Sequence, residues 1–161
     1  MVAATRLAVE AARAFVARGH GTIINIASVL ALTPERLNGG YSASKAFVLN
    51  LTQALQAETM AAGLRVQAVL SGATRTEIWD RSGTPLSRLP AEILMDVDEM
   101  VDAALSGLDQ GETITIPSLE DPALWQAFSE ARAALGPHLS RSRAARRYGT
   151  TPRAAVTPTT G

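Results

Sequence analysis

Three side chains that can move a proton stand at fixed distances in the first third of the chain. Ser28 follows an apolar, β-branched run at 22–27, Tyr41 comes thirteen positions later, and Lys45 comes four positions after that. Residues i and i+4 share one face of a helix, so Tyr41 and Lys45 are expected to project together. A hydroxyl, a phenol and an ammonium at the carboxyl end of a parallel strand suit proton transfer to or from a carbonyl oxygen.

The choice of basic residues singles out the same position. The chain has fourteen arginines but one lysine, Lys45. An ammonium is a compact point charge, whereas a guanidinium is a planar fork, so the exception favours a site that needs the smaller group.

The amino-acid composition limits the classes of protein to which the chain can belong. The 161 residues are 47% hydrophobic and carry fifteen basic and fifteen acidic residues. That allows one domain with a core, and no global charge points to nucleic acid or a membrane as partner. No apolar run is long enough to cross a bilayer and no secretory leader is visible, so a cytoplasmic protein is expected. Cysteine is absent, and His20 and His138 lie far apart, so no metal site is expected.

Hydrophobic periodicity predicts alternating helices and strands. Helices are expected at 2–18, 41–62, 97–108 and 121–135, with shorter ones at 76–81 and 91–95. Strands are expected at 22–27, 64–70 and 112–116, a loop at 29–40, a turn at 71–74 and an irregular, lid-like segment at 75–90. The first strand should be covered on both faces because its apolar run is nearly continuous. This order predicts an α/β protein: a partial Rossmann-like, doubly wound fold of about three parallel strands flanked by helices.

The end of the chain has a different composition. After Glu130 there are six arginines and no acid, and periodicity fades from about Gly136. We therefore predict one domain over 1–138 and a basic, disordered tail over 139–161, of which the last twelve residues are rich in Thr, Pro and Ala.

The proton-handling segment resembles the active-site segment of the short-chain dehydrogenase/reductase family. The resemblance rests on Ile-Asn-Ile-Ala-Ser at 24–28 and Tyr-Ser-Ala-Ser-Lys at 41–45, and it runs from about Met1 to about Pro117. A lone Y-x-x-x-K is frequent by chance. The serine at the right distance upstream, a second strand followed by a turn at Gly72, and Thr76 four residues later make the resemblance specific.

The resemblance implies a role for each member of the triad. Tyr41 would be the general acid/base for the substrate oxygen, and Ser28 would hydrogen-bond that oxygen. Lys45 would make the phenol a stronger acid through its positive charge and would bind the nicotinamide ribose. Hydride would pass between the substrate carbon and NAD or NADP, and the sequence does not decide between these cofactors.

Three further positions carry over from the same resemblance. Gly72 and Thr76 match the turn that contacts the nicotinamide end of the cofactor, besides Tyr41 and Lys45. Trp79 falls in the variable substrate lid at 77–95, whose apolar residues suggest a hydrophobic or ring-bearing carbonyl or alcohol. Helices at 2–18 and 41–62 would pair with a second subunit, so a homo-oligomer is implied.

The sequence differs from the family pattern at several places, and these differences all lie on one side of the fold. The glycine-rich turn T-G-x-x-x-G-x-G does not occur, and neither does the asparagine expected before the serine strand. Ser71 stands where the family has proline before Gly72. We therefore expect a truncated chain, the C-terminal catalytic part of a longer dehydrogenase, that binds NAD(P)H poorly by itself.

Other interpretations stay open at this stage. Singly, Ser28 could cap a turn, Tyr41 could pack on the loop, Lys45 could be a solvated surface residue, and Trp79 could belong to the core. The chain could be a non-catalytic relic or oligomerisation partner that binds no cofactor. A family member doing isomerase or lyase chemistry with the same Tyr and Lys is a third alternative.

Overall fold

A computed structural model of the chain describes residues 1–36 and 39–150. Over these ranges the α-helices are α1 Val2–Arg18, α2 Gly39–Thr59, α3 Ile78–Arg81, α4 Val97–Asp109 and α5 Pro122–Leu135. The strands are β1 Gly21–Ile26, β2 Leu64–Val69, β3 Ala73–Thr74, β4 Leu94–Met95 and β5 Ile114–Thr115. In the same part of the chain, no helix is long and apolar enough to cross a bilayer.

The main sheet has three parallel strands in the order β1-β2-β5. The register of β1 on β2 runs from Gly21 opposite Leu64 to Ile26 opposite Val69. The predicted α/β fold of about three parallel strands flanked by helices is confirmed. The third strand is shorter than the predicted 112–116, since Pro117 follows closely and β5 keeps only two paired residues.

Helices α1 and α2 cover one face of this sheet. Ala8 and Ala12 of α1 pack against Ile23, Leu55 and Val66 in the main buried cluster. The alanines let the helix approach the strands closely, and burial of the larger apolar side chains stabilises the layer. α1 ends where the sequence indicates, at a left-handed Gly19 whose N–H donates to the Val16 carbonyl.

Helix α4 covers β2 and β5 on the opposite face. The fully buried Gln67 of β2 donates through Nε2 to the Ala104 carbonyl of α4 and to Thr115 Oγ1 of β5, each at 2.8 Å. A Cβ on Gly107 would collide with the Thr115 side chain, so this glycine allows α4 to lie against β5. One side chain thus joins two strands and a helix.

The prediction that the first strand is covered on both faces is wrong. Ile24 is 37% exposed and Ile26 is 49% exposed, whereas Ile23 is buried. β1 is an edge strand, and α1 and α2 contact it from the side of Ile23. The apolar run predicted burial correctly for one face of the strand only.

Several element boundaries also differ from expectation. The predicted loop at 29–40 contains two short 3₁₀ helices, Val29–Ala31 and Pro34–Arg36, and α2 begins before Tyr41. The helix expected at 91–95 is a 3₁₀ turn, Ala91–Ile93, followed by β4. The pairing of β3 with β4 lacks a sequence signal, because two residues are too few to show a period.

The chain forms two compact units, residues 1–119 and 120–161. In the second unit α5 begins as predicted, with Asp121 accepting a hydrogen bond from the Ala123 N–H at 2.9 Å. Residues 139–150 are exposed. The disorder expected for the last twelve residues, 150–161, cannot be compared over 151–161, which lie outside the described residues. The domain boundary at 138 stays a prediction.

Candidate active site

Ser28 is held just past the carboxyl end of β1. The neighbouring amides bond to the end of β2 and to the turn after it. Ala27 N–H donates to Val69 O at 2.8 Å, and Val29 N–H donates to Ser71 O at 3.0 Å. Ser28 is 6% exposed, and its Oγ accepts from Leu30 N–H at 3.2 Å. This bond caps the 3₁₀ helix Val29–Ala31 and uses an oxygen lone pair, so the hydroxyl proton can be donated elsewhere.

Tyr41 and Lys45 meet on one face of α2, as their spacing predicts. Lys45 Nζ lies 5.6 Å from the centroid of the Tyr41 ring. The same Nζ donates to the Ile26 carbonyl at the end of β1, at 3.2 Å. Tyr41 is 42% exposed, so the residue that carries the phenol lies at the surface of the described chain. The lysine therefore connects the helix that carries the phenol to the strand that precedes Ser28.

The environment of Lys45 is partly dehydrated. Burial lowers the pKa of Lys45 below its ordinary value of 10.5. An ammonium has three N–H donors, and one of them is directed at the Ile26 carbonyl. The remaining donors suit ligand hydroxyls or a phenolate oxygen.

The turn containing Gly72 lies beside the Ser28 segment. Ser71 bonds to that segment twice, accepting from Val29 N–H and donating through Oγ to the Ala27 carbonyl at 3.5 Å. No described atom lies within 4 Å of the place where a Cβ on Gly72 would stand. Packing within the chain therefore does not demand a glycine here, and the turn leaves room for a ligand. Thr76 is half-buried four residues further on.

The two ends of the predicted lid segment are held together. β3 pairs with β4, and Arg75 Nε contacts Asp96 Oδ1 at 3.0 Å, so the two ends of 75–95 lie side by side. Trp79 is half-buried and donates through Nε1 to the Thr74 carbonyl at 2.8 Å. The indole is tied to the base of the lid, while Ile78 beside it is 60% exposed.

Sequence reasoning missed two polar groups beneath the site. Asn25 Nδ2 donates to Thr52 Oγ1 at 3.0 Å, which ties β1 to α2. Ser42, next to Tyr41, is 1% exposed, and its Oγ has no hydrogen-bond partner among the residues that the structure describes. The sequence did contain a signal for Asn25, because it is a polar residue inside an apolar strand. It contained no comparable signal for Ser42, which is a serine in a helix.

Together these groups can protonate or deprotonate a ligand oxygen and bind hydroxyls nearby. Ser28, Tyr41 and Lys45 belong to elements in mutual contact, since α2 packs on both β1 and the 3₁₀ helix that Ser28 caps. Gly72 lies on the adjoining turn. Over residues 1–36 and 39–150 there is no group of three metal-ligating side chains.

Comparison with known proteins gives concordant matches. A family model described as short chain dehydrogenase matches residues 1–86. A 7beta-hydroxysteroid dehydrogenase from Collinsella aerofaciens is 32% identical over 98 residues, which are 60% of this chain and 37% of that protein.

Two solved structures are similar over nearly the whole chain. The short-chain dehydrogenase from Sphingobium yanoikuyae in complex with NADPH has 48% identity and a TM-score of 0.87, covering 92% of this chain and 57% of that one. The bulky-bulky ketone specific alcohol dehydrogenase from Comamonas testosteroni has 42% identity and a TM-score of 0.80, covering 92% and 55%. The chain thus spans between 37% and 57% of the length of these three proteins.

Proposed function

Since the chain belongs to the short-chain dehydrogenase family, we propose that it is the catalytic part of an NAD(P)-dependent oxidoreductase that interconverts an alcohol and a carbonyl. The observation that carries the proposal is the placement of Lys45 between the Tyr41 ring and the carboxyl end of β1. If Tyr41 and Lys45 were solvated surface residues that merely have this spacing, Lys45 would not be expected to contact the strand that precedes Ser28.

Each residue of the triad has a distinct task in the proposed reaction. In the reducing direction, Tyr41 Oη donates a proton to the carbonyl oxygen while Ser28 Oγ donates a hydrogen bond to the same atom. The Lys45 ammonium beside the ring stabilises the phenolate that remains. In the oxidising direction the same groups remove the alcohol proton.

The residues present fit the nicotinamide end of the cofactor. Lys45 has N–H donors for ribose hydroxyls, and the position of a Cβ on Gly72 is open, on the turn that is hydrogen-bonded to the Ser28 segment. NAD or NADP would supply or accept the hydride there. The Sphingobium relative was solved with NADPH, which makes NADPH the first cofactor to test.

The proposed substrate class is a bulky, hydrophobic ketone or secondary alcohol. Ile78 and Ile93 of the lid are 60% and 52% exposed and lie on the segment that Trp79 ties down. The Comamonas relative is described as specific for bulky-bulky ketones, and the Collinsella relative as a hydroxysteroid dehydrogenase. Exposed aliphatic side chains on the predicted substrate lid suit a large apolar substrate with one reactive oxygen.

The chain is proposed to act as one part of a larger active protein. Its relatives contain additional chain, and the phosphate-binding glycine turn is not in this sequence. A homo-oligomer through helices 2–18 and 41–62 is also proposed, because Leu7 and Met60 there are 73% and 70% exposed. The cytoplasm stays the proposed location.

The test is a fusion of this chain to the part of the Sphingobium enzyme that the match leaves uncovered. With NADPH and a ketone bearing two large substituents, the fusion should consume NADPH and form the corresponding alcohol in equal amounts. Product analysis separates reduction from isomerase or lyase chemistry. A fusion that binds NADPH and converts no carbonyl compound would contradict the proposal and favour the non-catalytic alternative.

A further inference from the structure

Two side-chain hydrogen bonds join α2 to β1. Lys45 Nζ donates to the Ile26 carbonyl at 3.2 Å, and Asn25 Nδ2 donates to Thr52 Oγ1 at 3.0 Å. Asn25 and Ile26 are consecutive residues of β1. Lys45 and Thr52 are seven residues apart in α2, so they lie on one face of the helix. The two bonds and the two elements therefore close a ring of contacts that includes the lysine of the candidate site.

The Asn25–Thr52 bond is the stiffer of the two links. Thr52 is 1% exposed, and its hydroxyl proton is donated to the Val48 carbonyl, one helical turn earlier, at 2.7 Å. Because that proton has a fixed direction, the lone pairs that accept from Asn25 are fixed as well. Both side chains are short, and a threonine is restricted at χ1. The bond thus holds α2 at one position along β1.

The Lys45 bond cannot hold the helix in place by itself. A long, flexible stem separates Nζ from the backbone, and 3.2 Å is at the upper end of ordinary N–H···O distances. If α2 moved along β1, Nζ would have to leave either the Ile26 carbonyl or the Tyr41 ring, whose centroid lies 5.6 Å away. A misplacement of about 1 Å near reacting groups can lower a rate about 10²-fold.

We propose that Asn25 and Thr52 are positioning residues of the candidate site, because their hydrogen bond holds α2 at the place on β1 where Lys45 contacts both the Ile26 carbonyl and the Tyr41 ring. Both residues act through Lys45. The catalytic part of this inference rests on the proposed function, whereas the placement of Lys45 can be measured without substrate or cofactor. The competing explanation is that the bond only stabilises the packing of α2 on β1, so that its removal leaves Lys45 where it is.

The lone lysine of the chain allows its own placement to be measured. In the full 161-residue chain grown with isotope-labelled lysine, the Cε atom of Lys45 gives a single NMR signal, and its titration reports the pKa of Lys45. Burial lowers that pKa, and Tyr41 is a titratable group that faces the ammonium. Thr52→Val removes the hydroxyl and keeps the shape of the side chain. The pKa of Lys45 should then rise toward 10.5, because the released ammonium regains water.

Thr59→Val is the matched control. Thr59 is 6% exposed and donates to the Leu55 carbonyl at 2.7 Å, so both valine variants lose a buried bond within α2. The control keeps the Asn25–Thr52 bond and should leave the pKa of Lys45 as it is in the unmodified chain. Thr52→Ser keeps the hydroxyl and should also preserve it. Asn25→Ala removes the bond from the β1 side and should reproduce the effect of Thr52→Val.

The kinetic measurement uses the fusion described above, with NADPH and a bulky ketone. Thr52→Val and Asn25→Ala should each lower kcat about tenfold or more and leave KM for the ketone little changed, because Lys45 supports the reacting phenol rather than the binding of the ketone. Thr52→Ser and Thr59→Val should match the unmodified fusion.

The outcomes separate this inference from the proposed function. It would be overturned by an unchanged pKa of Lys45 in Thr52→Val and Asn25→Ala, by an equal shift in Thr59→Val, or by an unchanged kcat where that pKa does shift. Circular dichroism identifies a variant that fails to fold, and the other of the two then decides. If the pKa shifts as expected but the unmodified fusion reduces no ketone, the catalytic proposal is contradicted, and the control of Lys45 by the Asn25–Thr52 bond is supported.

Discussion

Lys45 is the residue on which the site's electrostatics depend. Its ammonium is half-buried between an aromatic ring and a single backbone carbonyl. Arginine would present a planar fork where one compact donor is required, which gives a physical reason for the lone lysine of the chain. Removing water from the cation has an energetic cost, and that cost depends on pH.

The pH dependence of stability should reveal this burial. Burial lowers the pKa of Lys45, so between the lowered pKa and 10.5 the unfolded chain binds more protons than the folded chain. The free energy of unfolding should therefore rise with pH across that window as the cost of the buried charge disappears. Lys45→Met should lack this contribution. Urea unfolding of both proteins from pH 7 to 10.5 measures it, and parallel curves would contradict it.

Ser28 should show two separable effects when its hydroxyl is removed. Ser28→Ala loses the cap on Leu30 N–H, at a cost of about 1 kcal/mol, and loses the donor to the substrate oxygen, at a cost of about 10²-fold in kcat. Ser28→Thr keeps the hydroxyl and is the control. Thermal unfolding and steady-state kinetics of the fusion measure both effects. An alanine variant with full kcat would remove Ser28 from the catalytic group.

At the scale of elements, the contact of α4 with β5 depends on Gly107. Gly107→Ala places a methyl group into the Thr115 and Glu112 side chains, so the helix must shift away from the strand. We expect a loss of about 1–3 kcal/mol in the free energy of unfolding. Ser106→Ala, at the adjacent exposed position, should change it by less than about 0.5 kcal/mol. Chemical denaturation of the two variants gives the comparison, and equal stabilities would show that α4 can move freely.

The elements also show what a sequence can and cannot predict. The long helices α1, α4 and α5 were predictable because their apolar period repeats over several turns. The β3–β4 pair and the Arg75–Asp96 contact were not, because two-residue strands have no period and the partners are far apart in sequence. The i,i+4 spacing predicted the meeting of Tyr41 and Lys45. It could not predict the bond to Ile26, nor that one face of β1 is bare, because an apolar run looks the same whether or not a neighbour covers it.

At the scale of the whole molecule, the sequence contains the residues that we propose handle protons, Ser28, Tyr41 and Lys45, and lacks the glycine-rich phosphate-binding turn. A glycine-rich turn at a helix N-terminus normally binds the pyrophosphate of a dinucleotide. The chain by itself should therefore bind NADPH at least about tenfold more weakly than the fusion does. Fluorescence titration of NADPH measures both affinities. Low-micromolar binding by the chain alone would contradict this expectation.

The central claim is that Tyr41 transfers the proton in an NAD(P)-dependent carbonyl reduction. The most direct measurement is kcat of the fusion for a bulky ketone with Tyr41→Phe, and with Tyr148→Phe as the control at the other tyrosine of the chain. Tyr41→Phe should lower kcat by about 10² to 10⁴-fold with the Kd for NADPH little changed, and Tyr148→Phe should match the unmodified fusion. Equal kcat values for the two variants would contradict the claim.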